Sequence, residues 1–229
     1  MLVKWQTITL YLKGENKMQK YSIIFCFIMM ISVVSDLLAD LLAIQMFTIG
    51  ALTFTGGEFV FPIVYIINDI VTEVYGYNTA KKMIWGGLIT NAYALTALTA
   101  VSYLAGSEST MYQFIIGEYG VASAITVAIA GFSAYTVASF VNAWIMSKMK
   151  EKHKEKKFAL RALVSTVFGE ICDSAVFGLV ACSCGLYSWS SFIPLTVTVV
   201  IMKTIVEILC LPITAKAVKS IKKLEVQNA

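Results

Sequence analysis

Histidine is almost missing from this chain: His153 is the only one in 229 residues, and it stands in a lysine-rich stretch. Imidazole-based zinc sites, haem ligation and serine–histidine catalysis therefore lack their essential group. Cysteine is sparse as well, with Cys26, Cys172, Cys182, Cys184 and Cys210 in or beside apolar stretches. Cys182 and Cys184 are too close in sequence for an ordinary structural disulfide, and no second pair completes a metal site. All five read as small apolar side chains, and neither a metal nor a cofactor is expected. Proline occurs three times, no low-complexity linker interrupts the chain, and only 14% of the residues are charged.

What is present is apolar surface: 58% hydrophobic residues and a mean hydropathy of +0.76. One core of this length cannot hide that much from water, so the solvent is expected to be lipid. Lys17 and Lys20 precede the apolar run 21–34 in the manner of a signal peptide, but the run is too long and lacks a small-x-small cleavage site, so it reads as a retained helix. Residues 1–17 are unlike the rest and read as an N-terminal extension, with Met18 as the expected start of a single membrane domain over 18–229.

Six apolar stretches are visible, at about 20–42, 59–75, 83–105, 119–147, 163–186 and 192–216. Each is near the roughly 20 residues that cross a hydrocarbon core, the second being somewhat short. Of the 18 basic residues, all but Lys203 fall at the N-terminus, between stretches two and three, between four and five, or at the C-terminus. The opposite connections carry only Glu58, Glu108 and Glu118. The positive-inside rule then predicts an all-α, six-helix transmembrane bundle with both termini cytoplasmic. That topology explains the seven basic residues between stretches four and five, so no nucleic-acid partner is inferred. Between stretches one and two, the partial alternation around Thr55-Gly56-Gly57 reads as a short β-hairpin or re-entrant lid on the outer face.

Six charged residues interrupt stretches two, five and six. A carboxylate at the bilayer centre costs roughly 2.5–3.5 kcal/mol on insertion scales, so each demands a reason. Counting about 1.5 Å per residue from the ends of their helices places Asp69, Asp173 and Lys203 near the midplane. Glu73, Glu170 and Glu207 follow one helical turn away on the same faces. The expected result is a two-tier polar cage, with Asp69, Asp173 and Lys203 in one tier and Glu73, Glu170 and Glu207 in the other. Five carboxylates would face one ammonium: either these groups pair among themselves and hold the bundle together, or the excess acceptors await a ligand rich in donors or positively charged. Asp36 and Asp40 lie toward the outer end of the first stretch and are expected in a lid or helix-end role.

At these residues the chain resembles the queuosine precursor transporter family, also called the vitamin uptake transporter family. The resemblance rests on F-P-x-x-Y-x-x-x-D-x-x-T-E-V-Y-G over 61–76, and on Lys81-Lys82-x-x-Trp85-Gly86. It continues through Arg161-x-x-x-Ser165-Thr166-x-x-Gly169-x-x-x-Asp173-Ser174-x-x-Phe177 and Lys203-x-x-x-Glu207 followed by Pro212. Members often carry an asparagine and then a lysine at the end of the first helix, where this chain has Ser35-Asp36-Leu37-Leu38-Ala39-Asp40.

The resemblance implies import of 7-deazapurines (preQ0, preQ1 or queuine) at the cytoplasmic membrane, by a transporter rather than an enzyme. It implies a substrate site built from Asn68, Asp69, Glu73, Glu170, Asp173, Lys203 and Glu207. In that site Asp69 or Asp173 would read the guanine-like edge, a glutamate would meet the amine, and Lys203 or Asn68 would bond the carbonyl. Tyr65, Tyr75, Trp85 or Phe177 would stack on the base. An alternative is the substrate-binding subunit of an energy-coupling-factor importer, which would require partner subunits because no Walker motif occurs here. A homo-oligomer is equally compatible with the sequence. An intramembrane aspartyl protease is disfavoured, since its G-x-G-D signature is absent at Asp173.

Overall fold

The structure is a computed structural model that describes residues 22–42, 46–49, 52–117, 120–154 and 156–227. The expected extension over 1–17 and the start at Met18 lie outside the described residues. Seven helices are present among them: α1 (Ile23–Leu42), α2 (Gly57–Tyr75), α3 (Tyr77–Ala105), α4 (Thr110–Ile115), α5 (Gly120–His153), α6 (Phe158–Ser183) and α7 (Trp189–Gln227). Two strands, β1 (Met46–Ile49) and β2 (Leu52–Thr55), pair antiparallel between α1 and α2, with Met46 opposite Thr55 and Ile49 opposite Leu52.

Local chemistry sets the helix ends. Ser22 caps α1 by accepting the Phe25 amide at 3.1 Å, and Ser109 caps the short α4 by accepting the Tyr112 amide at 3.1 Å. α2 passes directly into α3 through Gly76, whose φ of +85° suits a residue without a Cβ. Three helices outrun their apolar stretches. α3 begins at Tyr77 rather than near 83, α5 continues to His153 and α7 to Gln227. The added segments are rich in lysine, a good helix former, so the helices continue past the apolar zone. At 39 residues α7 is roughly 58 Å long, nearly twice the thickness of a hydrocarbon core. Pro212 inside it removes the N–H that would bond the Ile208 carbonyl.

Five helices (α1, α3, α5, α6 and α7) are long and apolar enough to cross a membrane. α2 falls outside that set because its 19 residues carry Glu58, Asp69 and Glu73. Packing explains how it tolerates them. α2 contacts α1, α3, α5 and α7, and its residues Val64, Tyr65 and Ile67 to Glu73 are all buried. A helix wrapped in other helices has no need of an apolar outer face. The surrounding helices turn large apolar side chains outward, including Ile89, Leu104, Leu209 and Ile213.

The α5–α6 pair is the most extensive contact, and small residues make it close. Ala130, Ala134, Ala138 and Ala143 of α5 are buried. A Cβ on Gly169 of α6 would lie 3.1 Å from the Tyr65 ring and 3.2 Å from Asn142 Cβ, so three helices converge on that glycine. The convergence brings α2, α5 and α6 together beside the ionisable residues.

Candidate functional site

The ionisable residues divide into three groups that cut across the two tiers expected from spacing. The first gathers at the lysine-rich end of the bundle around Glu73, which is 1% exposed. Arg161 Nη2 donates to Glu73 Oε2 at 2.6 Å, Lys222 Nζ donates to Oε1 at 2.9 Å, and Lys150 Nζ stands 3.7 Å from Oε1. Lys150 also donates to the Glu73 backbone carbonyl, one of the orphan acceptors at the end of α2. Arg161 is wholly buried. Its Nη1 donates to the Lys154 carbonyl at 2.8 Å and to that of Lys156. It thereby ties down a connection in which Lys154 and Lys157 hold left-handed backbone (φ 53° and 59°). Next to this group Glu225 of α7 accepts from Tyr75 at 2.6 Å and from Ser22, joining the ends of α7, α2 and α1.

The second group is centred on Lys203. Its ammonium lies 3.0 Å from Asp173 Oδ2 and 3.1 Å from Glu170 Oε2, and 4.2 Å over the Phe61 ring. Phe61 in turn meets Tyr65 edge-on at 5.3 Å between ring centres.

The third group is Asp69 of α2 and Glu207 of α7, 0% and 1% exposed on two helices that pack together. Ser165 Oγ lies 3.3 Å from Asp69 Oδ1. Among the described residues no hydrogen-bond partner reaches Asp69 Oδ2 or either oxygen of Glu207. The buried Tyr65 hydroxyl and Asn142 Nδ2 are likewise without one.

Of the residues singled out from sequence, Glu170, Asp173 and Lys203 come together, and Asp69 and Glu207 are buried on the neighbouring helices α2 and α7. Glu73 is drawn to the lysine-rich end. Asn68 turns to α5, where its amide donates to the Ser139 carbonyl at 3.2 Å and to Asn142 Oδ1 at 2.9 Å. Among the aromatic candidates, Tyr65 lies beside the central groups. Tyr75 is bound to Glu225 and packs on Phe25, Trp85 is 54% exposed against Phe140, and Phe177 packs on Tyr187. Asp36 and Asp40 are held together by Asn91 of α3, whose Nδ2 donates to them at 3.0 and 2.6 Å.

Sequence reasoning missed the part played by Arg161, which it counted only as a topological charge. A usable signal was there. Asp69 and Glu73 are spaced i,i+4 on α2, and Ser165 and Arg161 have the same spacing on α6. In the fold the two pairs match, Ser165 to Asp69 and Arg161 to Glu73. The arrangement offers carboxylate acceptors to donors and cations between helices.

Comparisons with known proteins bear on the family. Residues 55–217 match the family described as "Putative vitamin uptake transporter". The chain is 24% identical over 131 residues to the "Probable queuosine precursor transporter" of Haemophilus influenzae, covering 56% of this chain and 51% of that protein. It is 22% identical over 127 residues to the "Queuosine precursor transporter" of Escherichia coli, covering 56% and 54% respectively. The chain thus spans about half the length of the curated relatives it matches. No solved structure matches it.

Proposed function

The chain belongs to the vitamin uptake transporter family, a family of multi-pass membrane transporters rather than enzymes, and we propose that it imports 7-deazapurine precursors of queuosine across the cytoplasmic membrane. Support comes from the names of two relatives and from the chemistry of the bundle centre. A 7-deazaguanine offers an N1–H and a 2-amino group side by side, a donor pair that a carboxylate accepts in bidentate fashion. The observation that carries the reading is the surplus of acceptors at the centre. Asp69, Glu170, Asp173 and Glu207 are all buried there with one ammonium, Lys203.

In this reading α2 is a sixth crossing, enclosed by the five apolar helices. Both chain ends and the lysine-rich connections face the cytoplasm, as the basic residues require. The β1–β2 hairpin then lies at the outer mouth as a lid. Transport proceeds by rocking of helices around the central site, without ATP. The clamp on Glu73 and the Glu225–Tyr75–Ser22 contacts close the cytoplasmic end in the state described.

Uptake of labelled precursor by purified full-length protein in liposomes, with no ATPase present, tests both substrate and mechanism. Wild type should accumulate label inside, and Asp69→Asn and Asp173→Asn should each reduce uptake at least tenfold. Undiminished uptake by both variants would overturn the site, and a requirement for a partner ATPase would overturn the autonomous mechanism.

A further inference from the structure

Resting on the deazapurine reading and sharpening it, we propose that Asp69 and Glu207 form the receptor for a positively charged substituent of the transported base. The chain then selects an amine-bearing deazapurine over a neutral one. The other buried acids already hold partners. Glu73 has Arg161, Lys222 and Lys150 around it. Glu170 and Asp173 share Lys203. Asp36 and Asp40 share the Asn91 amide. Asp69 and Glu207 are more deeply buried than Asp173, yet among the described residues neither is in ion-pair contact with a basic group.

The cation one helical turn from Glu207, Lys203, is held by Glu170 and Asp173, and the donors facing Asp69 are neutral. Ser165 Oγ approaches Asp69 at 3.3 Å, and Asn142, whose Nδ2 is buried without a partner, faces the same carboxylate from α5. Neutral donors of this kind satisfy lone pairs but supply no counter-charge. A primary ammonium brings three donors and a full positive charge, enough to bridge both carboxylates. A nitrile in the same place is an acceptor facing acceptors. The base itself would fall to the neighbouring group. Asp173 there accepts from the N1–H and 2-amino edge, and Lys203 donates to the ring carbonyl.

The test is uptake into liposomes of two bases sharing one 7-deazaguanine ring, one bearing an aminomethyl group and the other a nitrile, at equal concentration. Wild type should favour the aminomethyl base at least tenfold. Asp69→Asn and Glu207→Gln should bring the ratio toward one, while Glu207→Asp, which keeps the charge, should keep the preference. Because the ratio is read within each protein, a variant that folds in lower yield still reports it. Equal wild-type transport of both bases overturns this proposal and leaves the deazapurine reading standing, the pair then serving protons alone. A preference that survives Glu207→Gln and Asp69→Asn also overturns it. If neither base enters, the deazapurine reading falls and the proposal falls with it.

Discussion

Glu73 and Glu207 are both 1% exposed, and both sit one helical turn from another ionisable group on their own helix. Their circumstances are opposite. Glu73 is over-supplied, with a buried guanidinium at 2.6 Å, an ammonium at 2.9 Å and a second at 3.7 Å. Glu207 has no hydrogen-bond partner on either oxygen among the described residues. A carboxylate surrounded by cations at a helix junction holds elements together, and removing its partners breaks them apart. A carboxylate buried without a partner weakens the resting fold, because its desolvation is uncompensated. Such a group is explained by what it receives during the working cycle. The proposed ligand site accordingly lies where satisfaction is lowest.

The contrast can be broken at several points. The largest effect is expected at Arg161. Arg161→Met leaves Glu73 without its closest partner and frees the Lys154 and Lys156 carbonyls, so stability should fall by about 3–5 kcal/mol. Thermal unfolding in detergent reads this, and the double variant Arg161→Met/Glu73→Gln should recover part of the loss. Next comes Lys203→Met, which strands Glu170 and Asp173 and should cost about 2–3 kcal/mol, with loss of uptake. A loss of uptake with unchanged unfolding would instead make Lys203 purely a ligand contact. Glu207→Gln should move the other way. Without an uncompensated charge to bury, unfolding should be unchanged or shifted upward by up to about 1 kcal/mol while transport falls. The smallest effect belongs to Lys150→Ala, which loses one hydrogen bond to the Glu73 carbonyl and an ion pair at 3.7 Å from a side chain that is 27% exposed. Less than about 1 kcal/mol is expected there, and a larger loss would show that the clamp depends on all three cations.

The helices were legible in sequence because their signal is local: apolar stretches of span length, and lysines at alternate connections. The ends were less so. α5 and α7 continue past 147 and 216 because lysine-rich segments remain helical beyond the apolar zone, and hydropathy does not register that. The burial of Asp69, Asp173 and Lys203 inside the bundle was also readable, since each interrupts an apolar stretch. Partner choice was not. Spacing places Glu73 and Glu170 in one tier, but which cation each meets depends on how far α5 and α7 reach and on how α6 is turned. Arg161 illustrates the limit: the same residue reads as a topological charge in sequence and as the buried clamp of Glu73 in the fold. Asn68 shows the converse, a polar residue beside Asp69 whose amide is engaged by α5.

Ligand-induced stabilisation puts the central claim to its most direct test. A ligand at one hundred times its Kd stabilises the form it binds by about 2.7 kcal/mol, which a thermal unfolding curve resolves. The amine-bearing 7-deazaguanine should stabilise wild type and Lys150→Ala alike, and Glu207→Gln little or not at all. Equal stabilisation of wild type and Glu207→Gln would contradict the account, because the carboxylate left without a partner would then not be where the ligand binds.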